Sequence, residues 1–226
     1  MTDEITLLTA LPKQSHQQIV FFRENKRIIA PIKRRRMTMT MSATAEKKYT
    51  VEEYFELEKH SEIRHEFVNG EIIPMSGESI AANVIAGNCG FYLELTLRSQ
   101  GYLIIRHEVR TIVELNKKYR YPDVVLVKKD TITETHAISS PVLLIEVSSK
   151  ESANRDNETK LNEYVQLLSL QYYLIISQYE PLVQLYSRDD QGWRFEVFSH
   201  LEEEVSLPKL GCVLKVSDIY QNVEGI

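Results

Sequence analysis

From Tyr49 onward the apolar and polar positions fall into periods that separate helices from strands. Thr50 followed three residues later by Glu53 makes a capping box, and Tyr54, Phe55 and Leu57 predict a short amphipathic helix ending near His60. Ile63 to Ile73 alternates around Asn69-Gly70, which predicts two strands joined by a tight turn. Ile85, Cys89, Tyr92, Leu93 and Leu97 recur at helical spacing and predict a long helix from about Ile80 to Ser99, stopped by Gly101. Tyr102 to Arg106, Glu108 to Leu115, Tyr121 to Val127 and Val142 to Val147 are rich in Val, Ile, Leu and Tyr, and read as four strands of one sheet. Leu161, Tyr164, Val165 and Leu168 share one face of an amphipathic helix over Ser152 to Leu168. Tyr172 to Ser177 is almost wholly apolar, as a strand at the buried centre of a sheet is. Leu182 to Ser187 and Trp193 to Phe198 predict a closing hairpin about Asp189-Asp190-Gln191-Gly192. This order predicts an α/β fold with an α+β mixed sheet flanked by helices and extended at its front by a helix and a hairpin.

Residues 1 to 48 lack such periodicity and read as an arm ahead of a domain spanning 49 to 226. The arm carries ten Lys/Arg against four acids, including the run Lys33-Arg34-Arg35-Arg36, while the remainder carries 17 against 28. Met37, Met39 and Met41 mark expected alternative translation starts. An acidic body argues against gripping nucleic acid by bulk charge, yet it suits a carboxylate metal site.

The chain has 226 residues, 43% of them hydrophobic and 26% charged, with 8 Gly and 7 Pro, which excludes collagenous and wholly disordered classes. No uninterrupted apolar run reaches the roughly 18 residues of a membrane span, and no secretory leader is apparent. Two cysteines, Cys89 and Cys212, are too few for a disulfide framework. The expected compartment is the cytoplasm.

The chemistry concentrates on Asp123 in Tyr-Pro-Asp-Val-Val, Glu146 in Leu-Ile-Glu-Val-Ser, and Asp156 and Lys160 on the next helix. A strand carboxylate among apolar neighbours is costly to bury unless it is paired or bound to metal. Two of them on one side of a sheet can hold Mg²⁺, with Mn²⁺ as the alternative ion, for phosphodiester hydrolysis. The bland readings stand beside this one: Asp123 as a strand cap after Pro122, Glu146 paired with Lys160, and Asp156 with Lys160 as an ordinary i,i+4 pair. His65 and His107 have no partner at a zinc-ligand spacing, and there is no Gly-rich phosphate loop. Trp193, Tyr186 and Phe198 read as packing aromatics.

A series of motifs resembles the Uma-type restriction endonuclease family of the PD-(D/E)XK nuclease superfamily. It runs from Glu66-Phe-Val-Asn-Gly-Glu-Ile-Ile and Met75-Ser-Gly through Tyr121-Pro-Asp-Val-Val and Leu144-Ile-Glu-Val-Ser-Ser to Asp156, Lys160 and Tyr164. The resemblance covers about residues 48 to 200. It implies a restriction-endonuclease-like core, an Mg-dependent endonuclease acting on nucleic acid, with DNA the expected substrate, and a homodimer as the expected assembly. It also implies Asp123 and Glu146 as metal ligands and Lys160 as the catalytic lysine, moved to the helix because Ser148 occupies the usual place two residues after the Glu. Glu66 and Asp156 would be supporting acids. The His expected before the long helix is absent, where Ile80-Ala81-Ala82-Asn83 stands, and Ser177 occupies a place where Asp is expected. The alternative is a catalytically silent nucleic-acid-binding or protein-interaction module that keeps the fold.

Overall fold

The computed structural model describes residues 19–20, 47–148 and 155–226, with the backbone alone at 19–20 and 155–157. Most of the arm, with its Arg cluster and its methionines, lies outside the described residues. Ile19–Val20 form β1, a short edge strand. Helix α1 (Val51–His60) starts at the expected capping box, in which Thr50 accepts from the Glu53 amide and the Glu53 carboxylate accepts from the Thr50 amide. The hairpin β2 (His65–Val68) and β3 (Glu71–Pro74) turns on Asn69 and Gly70, whose φ values are +53° and +92°. That is the left-handed pair a two-residue hairpin demands.

Helix α2 (Ile80–Leu97) starts at Ser79, whose hydroxyl caps the Ala82 amide. It is long and apolar enough to cross a membrane, but its inward face is core, with Ile85, Cys89, Leu93 and Leu97 wholly buried. Then follow β4 (Tyr102–Arg106), β5 (Arg110–Glu114), β6 (Lys118–Arg120), β7 (Val124–Lys128), β8 (Ala137–Ile138) and β9 (Pro141–Ser148). Helix α3 (Arg155–Tyr164) leads to β10 (Tyr172–Ser177) and to the hairpin β11 (Val183–Asp189) and β12 (Gly192–Phe198). The chain closes with β13 (Glu204–Leu207), β14 (Cys212–Lys215) and the single turn α4 (Val216–Ile219).

The central sheet runs β1-β12-β11-β10-β9-β7-β4, with β9 and β10 parallel and the other neighbours antiparallel. Period-two alternation divides its strands between two layers. Val124, Leu126, Leu143 and Ile145 face α2, β14 and α4, whereas Val125, Val127 and Leu144 pack with Tyr164, Leu167 and Leu170 on the α3 side. As expected, β10 is nearly all buried, because strands flank it on both edges and layers cover both faces.

One expectation fails. The four strands after α2 do not share a sheet: β4, β7 and β9 do, but β5 joins a second sheet of order β3-β2-β6-β5-β8. The cause is local. His107 and Glu108 take φ of +53° and +55°, which turns the chain out of β4. Thr111 and Ile112 are then buried in the second sheet, where Ile112 packs beside Tyr54, Phe67 and Tyr119.

Candidate active site

In the β7–β9 ladder Val124 faces Ile145 and Val125 faces Leu144. Carried one pair further, that register sets Asp123 across from Glu146, and facing residues on adjacent strands have Cβ atoms about 5 Å apart. Glu146 points to the α3 layer, in phase with Leu144, and meets two side chains of α3 there. Asp123 Oδ2 accepts from the Val147 amide at 2.6 Å. Lys160 Nζ, from α3, donates to Glu146 Oε2 at 3.0 Å and lies 3.5 Å from Glu66 Oε1. The Tyr164 hydroxyl, one turn on, donates to Glu146 Oε1 at 2.8 Å. Asp123, Glu146, Lys160 and Glu66 therefore line one cavity of about 380 Å³.

Lys160 is buried, with 8% of its surface exposed, so it is no surface ion-pair partner. The side chain of Asp156, the other supporting acid, and Lys150 lie outside the described residues.

The network extends beyond the expected set. Arg120, 3% exposed, donates to Glu66 Oε2 at 2.5 Å and to Glu163 Oε2 at 2.9 Å, and Lys118 lies 3.4 Å from Glu163 Oε1. Glu163 sits three residues after Lys160 on α3, so Arg120 ties that helix to the front sheet. Sequence reading misses both residues; the available signal is an arginine between Tyr119 and Tyr121, a charge in a strand otherwise fit for burial.

A second omission concerns histidine. His107, at the strained turn after β4, has Nδ1 2.8 Å from Glu78 Oε1. Its amide donates to the Asp123 carbonyl at 3.2 Å. Glu78, His107 and Asp123 place their ligand atoms within 4.8 Å of one another. Linear spacing cannot reveal this, since 29 residues separate Glu78 from His107.

The electrostatics follow from burial. Desolvation, joined by the neighbouring Glu146 carboxylate, pushes Asp123 up to about 7. Glu146 is also raised by desolvation, against the opposing pull of Lys160. Desolvation raises Tyr164 well above the ordinary phenol range, with Glu146 adding to the effect, so its hydroxyl stays a donor.

A family model described as "Putative restriction endonuclease", Uma2, matches residues 51–217. The chain belongs to the Uma2 family. Among its relatives is the uncharacterized protein sll1609 of Synechocystis sp. (strain PCC 6803), 31% identical over 148 residues, which are 64% of this chain and 84% of that protein. Another is the uncharacterized protein slr1290 of the same organism, 25% identical over 177 residues, 78% of this chain and 93% of that one. A solved structure described as a putative nuclease belonging to DUF820, from Anabaena variabilis, has a TM-score of 0.64 at 18% identity, covering 76% of this chain and 97% of its own. This Uma2 chain thus has a restriction-endonuclease-like fold, as its motifs led one to expect.

The donor set fits a hard divalent cation. Asp123, just ahead of β7, and Glu146, on β9, offer carboxylate oxygens to one cavity, where buried Glu66 Oε1 has no hydrogen-bond partner and lies 3.5 Å from Lys160 Nζ.

Proposed function

We propose that this Uma2 protein is a divalent-metal-dependent endonuclease of the PD-(D/E)XK type. It would hydrolyse phosphodiester bonds, with DNA the preferred substrate and Mg²⁺ or Mn²⁺ the ion. The observation that carries this reading is the meeting of Asp123, Glu146 and a buried Lys160 in one cavity, in a chain of this family. Asp123 and Glu146 would hold the ion, which supplies Lewis acidity toward the phosphate and acidifies water. Lys160 places an ammonium beside Glu146, where it can orient the attacking water and steady charge developing on phosphate oxygens. Tyr164 fixes the other Glu146 oxygen. Glu66, held by Arg120, positions Lys160 from the opposite side. An adjoining cavity carries Arg64 and Arg106, cations suited to the phosphate backbone. Cutting both strands of a duplex calls for two such sites, so the reading includes a homodimer. It places the protein in the cytoplasm, which suits the buried free thiols of Cys89 and Cys212.

One observation favours a catalytically silent module instead: both oxygens of Glu146 already have protein partners, Lys160 and Tyr164. Incubation with plasmid, single-stranded DNA and RNA under Mg²⁺ and Mn²⁺, beside Glu146→Ala and Lys160→Met, decides between the two. The nuclease reading expects metal-dependent cleavage that each substitution lowers by at least about 100-fold. Undiminished cleavage by Glu146→Ala, or none by the wild type on any substrate, sinks it.

A further inference from the structure

We infer that the outward face of α2 is an interface with a second copy of this chain, in which the two α2 helices pack antiparallel about a two-fold axis beside Gly87. The nuclease reading asks for two copies without naming a surface, and this pairing would form whether or not the protein cuts anything.

Helix α2 is apolar on two sides. Ile85, Cys89, Leu93 and Leu97 turn into the core and are wholly buried. On the opposite side, at spacings of four, three, four and four residues, stand Ile80, Val84, Gly87, Phe91 and Leu95. Of these, Ile80, Phe91 and Leu95 are 86%, 52% and 66% exposed. A helix that is apolar all round belongs inside a larger core, so this stripe is fit to be covered. Gly87 sits in its middle. A glycine inside a helix costs stability relative to alanine, and apart from its own helix nothing comes within 4 Å of the place its Cβ would take. Gly90, nearer the core, differs: a Cβ there would run into the Arg106 guanidinium, so the fold of one copy requires that glycine. One copy gives Gly87 no such reason, and the open space above it lets the backbone of a second helix come close.

Shape and charge select a second copy as the occupant. At the start of the stripe Ile80 projects, and at its end a shallow hollow of about 570 Å³ is lined by Phe91, Glu94, Leu95, Arg98 and Ser99. Gly87 lies seven residues from Ile80 and eight from Leu95, roughly 11 Å either way at about 1.5 Å of rise per residue. Antiparallel packing about Gly87 therefore seats Ile80 of each copy in the hollow of the other and sets Val84 against the partner's Phe91, a self-matching contact that closes at two copies. The charges agree. Glu78 stands ahead of Ile80, and Arg98, with its side chain 74% exposed, follows Leu95. Antiparallel helices bring these opposite charges to the same end, whereas parallel ones would stack like on like. A lipid surface would call for neither a bare Gly87 nor a knob and a hollow matched in spacing.

The test is sedimentation velocity on the full chain over a range of concentrations, without metal or nucleic acid. The wild type should sediment as a reversible dimer. Leu95→Glu and Gly87→Leu should each raise the dimer Kd at least about tenfold. Leu95 is largely exposed and the Gly87 Cβ position is open in a single copy, so both variants should keep the far-UV circular dichroism of the wild type. Mild oxidation of an equal mixture of Ile80→Cys and Leu95→Cys should cross-link the two proteins to each other and neither to itself, the native Cys89 and Cys212 being buried. A wild type that stays monomeric throughout overturns the inference, whether the arm or added lipid vesicles take the face instead. So does a dimer that both Leu95→Glu and Gly87→Leu leave intact, or cross-linking of each cysteine variant only with itself, the mark of parallel helices. Failure of the nuclease reading looks different: no cleavage by a protein whose dimer is intact.

Discussion

At the Glu146 end of the cavity each carboxylate meets a Lys or Arg inside the protein, whereas at the Glu78 end two carboxylates meet an imidazole and neutral amides. Glu66, Glu146 and Glu163 are all buried and are answered by Arg120, Lys118 and Lys160 across the front sheet, β9 and α3. Asp123 and Glu78 are more open to solvent, and their neighbours are His107, the Val147 amide and the Asn83 side chain. The two ends line one cavity, so distance does not separate them. The difference is one of charge balance. The closed end balances its own charges, whereas the open end is left with an excess of negative charge. A single substitution at either end should therefore act with opposite sign on stability: loss where partners are matched, gain where like charges are crowded.

The largest effect belongs to Arg120. Replacing it with Met leaves Glu66 and Glu163 facing each other without their shared guanidinium, in positions 7% and 8% exposed. Breaking a buried ion network by removing one partner costs about 3–5 kcal/mol. Urea denaturation of Arg120→Met should show a loss of that size, and the double variant Arg120→Met/Glu66→Gln should recover part of it. A loss under about 1 kcal/mol would mean that this end is not closed by its own charges, and the contrast collapses.

Tyr164→Phe probes the same end more gently. It removes one donor to Glu146 while keeping the ring against Tyr173, whose centroid is 5.1 Å away. A hydrogen bond to a charged group contributes about 1.5–3 kcal/mol, so denaturation near neutral pH should show a loss in that range. The loss should shrink at low pH. The hydroxyl favours ionised Glu146 and lowers its otherwise raised carboxyl, so its contribution fades as the carboxyl protonates. A loss independent of pH would put the effect in packing rather than in the bond to Glu146.

How far this site is legible in the sequence follows the same divide. Asp123, Glu146 and Lys160 are readable because the Pro-Asp and Glu-Val-Ser motifs sit in apolar strands and Lys160 follows on the next helix. The parity of Glu146 against Ile145 and Val147 already gives its face. Arg120 and Glu163 escape notice, because a charged residue in a three-residue strand and another on a polar helix look solvated until a sheet covers them. His107 and Glu78 escape for a different reason: they meet only because two consecutive left-handed residues turn the chain after β4, and nothing in Arg106-His107-Glu108-Val109 signals that turn as Asn69-Gly70 signals its own. The same turn sends β5 to the second sheet, so one unrecognised backbone feature accounts for both the misplaced strand and the overlooked histidine. The elements after Phe198 carry little pattern of their own: β13 and β14 are four residues each and owe their place to α2, which they help to cover.

The smallest effect, and the one with reversed sign, is expected of Asp123→Asn without metal. In the folded chain Asp123 is raised to about 7 from an unfolded value near 3.8, through burial and the neighbouring Glu146 carboxylate, with Glu78 adding to it. A carboxyl raised on folding binds its proton more tightly in the native state, so protonation favours the folded protein. The contribution is fully present below about pH 4 and is lost as pH rises through about 7, where the ionised group meets its two neighbours. Asn carries no charge and can still accept from the Val147 amide. In EDTA, Asp123→Asn should therefore be close to the wild type at pH 4–5 and more stable by about 1–2 kcal/mol at pH 8, a moderate figure because solvent reaches the cavity mouth. Adding Mn²⁺ at pH 8 should reverse the order, since the dication stabilises only the wild type, by an amount that grows with free ion over Kd. Urea denaturation of both proteins at four pH values, with and without Mn²⁺, provides the check. Parallel stability curves for the two proteins would show that Asp123 is not held against its neighbours, and the open end of the cavity would then be as balanced as the closed one.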